Sequence, residues 1–170
     1  MHKNIRLKKQ RGNTASGINC NMKVVIQRVS SASVTVDGKT VSTIGPGLLV
    51  LLGIAAQDAD QPDNDYLINK ILKLRVFPDG QQQFHKSVVD VGGEILLVSQ
   101  FTLYGDCTKG NRPSFCKAMP PQEAKLRYNA FAKDLKKAYP RVQEGIFGAN
   151  MQVSLVNVGP VTIIVGNNSC

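Results

Sequence analysis

Three polar side chains, Ser99, Gln100 and Thr102, close the apolar run Glu94–Leu103 (EILLVSQFTL), the place where a sheet opens to a ligand rather than to its core. Their hydroxyl and amide groups can contact a substrate, and the main-chain N–H groups of Phe101 and Thr102 can stabilise an oxyanion. A second candidate lies in Val153–Val165 (VSLVNVGPVTIIV), where Asn157-Val158-Gly159-Pro160 interrupts two runs of β-branched and apolar residues. Pro160 has no N–H for a sheet ladder, so the break is a bend or an edge. Gly159 leaves backbone open to approach, and an X-Pro bond adopts cis at a cost of only about 0.5–1 kcal/mol. A plain hairpin turn is the simpler reading of the same residues.

Other chemistries are short of residues. His2 and His85 are the only histidines, and Cys20, Cys107, Cys116 and Cys170 form no C-x-x-C pair. Neither a disulfide framework nor a zinc site is indicated, and no metal or cofactor is expected. Nucleophile elbow, P-loop, dinucleotide fingerprint and HExxH motifs are missing. His85 sits among Gln and Lys, where an exposed histidine is usually ornamental. A site of main chain and hydroxyls remains, and it suits a substrate that is already reactive.

The elements that must position these groups read as α+β. Lys23–Ser30 and Ser33–Thr43 are strand-like, with Asp37-Gly38 as a favoured hairpin turn. Leu48–Ala55 (LLVLLGIA) is apolar at nearly every position, which predicts a strand buried on both faces. A helix is expected from caps at Asp58 or Asp60 to about Leu74, with Leu67, Ile71 and Leu74 on one face. Gln81–Val91 reads as weak strand or loop, Glu94–Leu103 as strand, and Tyr104–Phe115 as an exposed loop carrying Lys109 and Arg112. Pro120-Pro121 starts an amphipathic helix with Ala124, Tyr128, Phe131, Leu135 and Ala138 inward. Its other face carries Lys125, Arg127, Lys133, Lys136 and Lys137, a solvated surface or a track for phosphates. A last pair of strands flanks the Gly-Pro break.

The 170 residues suit a single domain, and the net charge of +9 is unevenly spread. Residues 1–21 hold five of the 21 Lys and Arg residues and no acid, leaving 16 bases against 12 acids in the remainder. That leader is an appendage to a domain over 22–170: a transit peptide, a basic tail that touches RNA, or residues without a role. No uncharged apolar run reaches the eighteen or so residues that span a bilayer, so no membrane is expected.

Taken together, SQFTLYGD (99–106), RPSF (112–115), FGANM (147–151), NVGPVT (157–162) and the opening MKVVIQRVSSASVTVDG resemble the D-aminoacyl-tRNA deacylase family over essentially all of 22–170. The resemblance implies a β-barrel-like antiparallel or mixed sheet with two main helices packed outside. It implies a homodimeric hydrolase, with active sites at the subunit interface, that cleaves the ester of D-aminoacyl-tRNA and of mischarged glycyl-tRNA. By the same resemblance, Ser99, Gln100, Phe101 and Thr102 line the catalytic pocket. Gly159 and Pro160, joined by a cis bond and supported by Arg28, enter the partner's pocket and reject L-amino acids. Phe147, Gly148, Ala149 and Met151 receive the terminal adenosine. Val158, Gly105 and Cys107 depart from the family pattern at its rim. Location is expected to be cytoplasmic, or organellar if residues 1–21 are an address. Two other readings are a non-catalytic tRNA- or RNA-binding module and a hydrolase of small D-amino-acid esters or amides.

Overall fold

The strand expected to be buried on both faces is so, and its alternation explains the two-sided core. Residues 22–56 and 64–166 are described by the structure, a computed structural model. In β3 (Gly47–Ile54), Leu48, Val50 and Leu52 face one hydrophobic cluster while Leu49 faces a second. Strand β4 (Glu94–Ser99) repeats the pattern, with Ile95 and Leu97 in the first cluster and Leu96 and Val98 in the other. A period of two with both phases apolar demands cover on both faces. Helices α1 (Asn64–Lys73) and α2 (Pro121–Ala138) cover one face, and the curled sheet covers the other.

Strand β1 (Met22–Val36) organises the sheet. One of its edges pairs antiparallel first with β3, along Met22–Val29, and then with β2 (Lys39–Ile44), along Ala32–Val36. The other edge pairs antiparallel with β6 (Met151–Gly166) almost throughout. Strands β3, β4 and β5 (Val142–Glu144) are parallel to one another, so the six-stranded sheet is mixed and nearly closed. The β1–β2 turn has Asp37 at φ 49° and Gly38 at φ 74°, the two positive values that the sequence Asp-Gly favours in a hairpin.

Several expected boundaries move. Asp58 and Asp60 lie outside the described residues, and the helix described there begins at Asn64. The strand expected over 94–103 stops at Ser99, where its pairing ends although β3 itself runs on to Ile54. Ser99 pairs with Leu52 as the last rung to β3, and β5 pairs no further than Leu97. The chain coils instead into a 3-10 turn, Phe101–Tyr104, seated close over Gly53, where an added Cβ would lie 3.0 Å from the Gln100 carbonyl oxygen. In α2, Ala132 joins the buried face and Ala138 is exposed at the last residue. The final segment is one strand with an outward bulge, neither a hairpin nor two strands.

Candidate active site

The bulge in β6 follows from a mismatch in length. Gln27 pairs with Thr162 and Val29 with Asn157, so four residues, Val158–Val161, stand opposite the single Arg28. Val158, Gly159 and Pro160 are exposed, while Val161 turns back into the core. The Gly159-Pro160 bond is cis, and Gly159 has φ 126°, a backbone conformation that L side chains rarely adopt.

Two side chains hold this bulge. Arg28 follows Met22, Val24 and Ile26 on the helix-facing side of β1 and is only 6% exposed. Its Nε donates to the Val158 carbonyl at 2.9 Å and its Nη1 to the Val76 carbonyl at 2.5 Å. Charge-assisted bonds to two carbonyls satisfy a guanidinium that burial would otherwise penalise. Asn157 closes the base of the bulge: its Oδ1 accepts from the Val161 N–H at 2.7 Å, and its Nδ2 donates to the Val161 carbonyl and to Thr162 Oγ1. The carbonyls of Val158 and Val161 are thus occupied from within the chain. Those of Gly159 and Pro160, between them, stand on exposed residues outside the β1–β6 register.

The Ser99–Thr102 group is placed by β4 and the turn after it. Gln100 donates its N–H to the Leu52 carbonyl at 2.7 Å, which carries the end of β4 one step beyond the ladder. Thr102 is exposed, and its Oγ1 accepts a short hydrogen bond from Gln100 Nε2. As the first residues of a 3-10 turn, Phe101 and Thr102 have no carbonyl within the turn for their N–H groups. Lys23 braces this turn from β1, donating to the Leu103 carbonyl at 3.3 Å with its ammonium 4.9 Å from the Tyr104 ring centroid.

Behind Ser99, Gln100 and Phe101 lies a cavity of about 40 Å3, also lined by Tyr128 and Phe147. It has room for about one water, so a nucleobase can only lie across its mouth. Tyr128 donates to the Leu97 carbonyl at 3.1 Å, and burial raises its phenol well above the usual tyrosine range. Phe147 packs on Tyr128 with centroids 5.5 Å apart, and it lines the same cavity as Ser99, Gln100 and Phe101. Gly148 is exposed beside it, Ala149 is half-buried, and Met151, at the start of β6, packs instead against the second hydrophobic cluster, that of Leu49, Leu96 and Val98.

The loop after the turn folds back over it. Asp106 accepts from the Thr108 hydroxyl at 2.7 Å, the Lys117 ammonium at 2.9 Å and the Thr108 N–H at 3.0 Å. Those bonds, the Thr108 hydroxyl first, hold its carboxyl well below the ordinary range. Phe115 meets Phe101 edge to face with centroids 5.1 Å apart, and both rings remain partly exposed. His85 belongs to a different turn, where Gln82 Oε1 and Asp79 lie 3.3 and 3.6 Å from its ring nitrogens.

Among the described residues, the hydrogen bonds of the bulge and those of the Ser99 group have no partner in common, and the bulge does not line the cavity behind Ser99. From Ser99 to the bulge the path crosses β3 and β1 and moves four residues along the strands, on the order of 20 Å measured over the sheet. Sequence reasoning missed Asn157 as the clamp and Lys23 as the brace. An Asn at the base of an interrupted strand, with its side-chain bonding capacity, was the one available signal for the first.

Fold and site therefore define a mixed-sheet protein whose candidate chemistry rests on main chain, hydroxyls and amides. The fold is shared with a solved structure titled a probable eukaryotic D-amino acid tRNA deacylase, at TM-score 0.74 and 18% identity over 85% of this chain and 98% of that one. A solved c-Myc DNA Unwinding Element Binding Protein matches at TM-score 0.81 and 47% identity, covering 86% of this chain and 99% of the other. D-aminoacyl-tRNA deacylases of Clostridium botulinum (strain 657 / Type Ba4) and of Thermodesulfovibrio yellowstonii are each 51% identical over 144 residues. Those matches span 85% of this chain and 96% and 98% of the relatives. The family model described as D-Tyr-tRNA(Tyr) deacylase matches residues 25–166, and the chain belongs to that family.

Proposed function

We propose that this chain hydrolyses the ester joining a D-amino acid to tRNA, also clears glycine from mischarged tRNA, and rejects L-aminoacyl-tRNA at Gly159-Pro160. One observation carries the reading. Two adjacent carbonyls, belonging to the exposed residues Gly159 and Pro160, lie between two carbonyls that Arg28 and Asn157 hold. A rigid pair of acceptors can bind the substrate's amino group and fill the volume an L side chain needs, so selection works by exclusion. Glycine has no side chain to exclude, which accounts for its acceptance.

Ser99, Gln100, Phe101 and Thr102 form the receiving pocket in this reading. The Phe101 and Thr102 N–H groups stabilise the developing oxyanion, where one such donor is typically worth about 2.7–4 kcal/mol. The neighbouring 2′-hydroxyl of the tRNA terminus lies beside the ester and assists its cleavage. A covalent role for Thr102 is less well supported, because its hydroxyl oxygen accepts from an amide donor that cannot take up a proton. Phe147 and the exposed Gly148 edge the cavity mouth where the terminal adenosine would rest, with Ala149 and Met151 shaping the segment behind them.

Two strands, β3 and β1, separate the Ser99 group from the bulge in the sheet, and in this reading two copies complete the site. The outer edge of β6 supports this: Leu155, Val156, Val158 and Ile164 are exposed on a sixteen-residue strand, a length that calls for cover. A homodimer with each bulge in the other's pocket meets both needs.

The test is to incubate the protein with D-Tyr-tRNA, L-Tyr-tRNA, Gly-tRNA and D-tyrosine methyl ester and follow ester loss. Turnover of the D- and glycyl-tRNAs alone is expected. Salt-sensitive binding without turnover would instead establish a nucleic-acid-binding module, and methyl ester hydrolysis a small-ester hydrolase.

A further inference from the structure

A second cavity lies away from the Ser99 group, on the outer side of α1. It is open, about 560 Å3, and lined among others by Tyr66, Lys70, Lys73 and Arg75. Three cations face Asp65 as the one acid in its lining. None of the three is held in a salt bridge among the described residues, although Asp90 lies within electrostatic reach of Arg75. Lys70 lies 5.6 Å from the Tyr66 ring centroid. Arg75 directly precedes Val76, whose carbonyl accepts from the same Arg28 that holds Val158. Covalent and hydrogen-bond steps bound the path from the Arg75 backbone to the Val158 carbonyl at roughly 15 Å.

From this placement we infer that Lys70, Lys73 and Arg75 bind backbone phosphates of the tRNA acceptor end, and that they serve the active site of the partner subunit. The inference rests on the dimeric reading above. A tRNA whose terminal ester meets this chain's Gly159-Pro160 sits in the partner's Ser99 pocket, and the next few nucleotides fall within reach of this chain's α1. The cavity is cationic, open and wide enough for a strand to lie across it, and phosphates are the ligands that such a surface takes without base contacts. One tRNA would therefore be held by both subunits: its ester by one, its backbone by the other.

The test is the triple variant Lys70→Ala, Lys73→Ala, Arg75→Ala in the full chain, assayed on D-Tyr-tRNA between 50 and 200 mM salt and on a D-tyrosyl ester of adenosine, which lacks the phosphates. KM for the tRNA should rise with kcat held, and the adenosine ester should be cleaved as by the parent. Three lost phosphate contacts flatten the slope of log KM against log salt by about 2.1–2.7, so the KM defect at 50 mM exceeds that at 200 mM by about 20–40-fold. Equal losses on both substrates, or an unchanged salt slope, would overturn the phosphate assignment; loss of D-Tyr-tRNA turnover by the parent itself would instead sink the deacylase reading. Mixed dimers test the partner assignment. With the triple variant and Gly159→Ala on one chain against an unaltered partner, the surviving site should keep the parental KM. A raised KM there would place the cations with their own chain's Ser99 group and refute service in trans.

Discussion

Gly159→Ala isolates the bulge from the rest of the fold. The new Cβ would lie 2.8 Å from Arg28 Nη2 and 2.8 Å from Val161 Cγ2, at a residue whose φ of 126° L side chains rarely adopt. The backbone conformation costs about 1–3 kcal/mol and the crowding about 1–3 kcal/mol more. Relaxation shares the two, so a loss of roughly 2–5 kcal/mol is expected, which lowers Tm by roughly 5–20 °C in a domain of this size. Relief comes by moving the bulge or by displacing Arg28 from Val158, and either shifts the Gly159 and Pro160 carbonyls. A displacement of about 1 Å costs on the order of 100-fold in a reaction that depends on positioning. The assay is kcat/KM for D-Tyr-tRNA and L-Tyr-tRNA at a temperature where circular dichroism shows the variant folded. D-activity should fall about 100-fold and the D/L ratio should shrink with it. A folded variant that keeps both within twofold would refute main-chain exclusion at this bulge.

Arg28→Lys keeps the charge but loses the fork that reaches two carbonyls, so it should lower the D/L ratio and destabilise by about 1–3 kcal/mol, read by urea unfolding. Thr102→Ala should retain substantial deacylation, because the hydroxyl is assigned no proton transfer; an inactive variant that still binds D-Tyr-tRNA would establish Thr102 as a nucleophile. Tyr128→Phe should cost only about 0.5–1.5 kcal/mol by thermal melting, since the Leu97 carbonyl keeps the Gly145 N–H at 2.9 Å. Asp106 has its carboxyl lowered in the folded state, so its contribution is complete above the ordinary carboxylate range and fades as pH falls from that range toward the lowered value. Unfolding midpoints of Asp106→Asn should therefore show a shallower acid dependence below about pH 4 and no change in slope between pH 5 and 7.

The sequence by itself determined the elements whose burial is written in their own periodicity. Leu48–Ala55 had to be covered on both faces because no position in it is polar, and Ala124, Tyr128, Phe131 and Leu135 had to share one face of a helix. Asp37-Gly38 specified its turn, and the polar end of the fourth strand marked Ser99, Gln100 and Thr102 before any neighbour was known. Local pattern went astray where a non-local partner decides. Residues 101–104 read as strand, yet they coil where β4 leaves its ladders, whose last rungs are Ser99 with Leu52 of β3 and Leu97 with Glu144 of β5. Val153–Val165 read as two strands about a turn, yet β1 is long enough to pair with both halves and force the intervening residues outward. Only tertiary structure could supply Arg28 with carbonyls from positions 76 and 158, or set the Ser99 group and the Gly-Pro bulge on strands separated in the sheet by β3 and β1. Hydrophobic period is a property of neighbours in sequence, whereas strand order, register and the ends of partner strands are properties of contacts between segments a hundred residues apart.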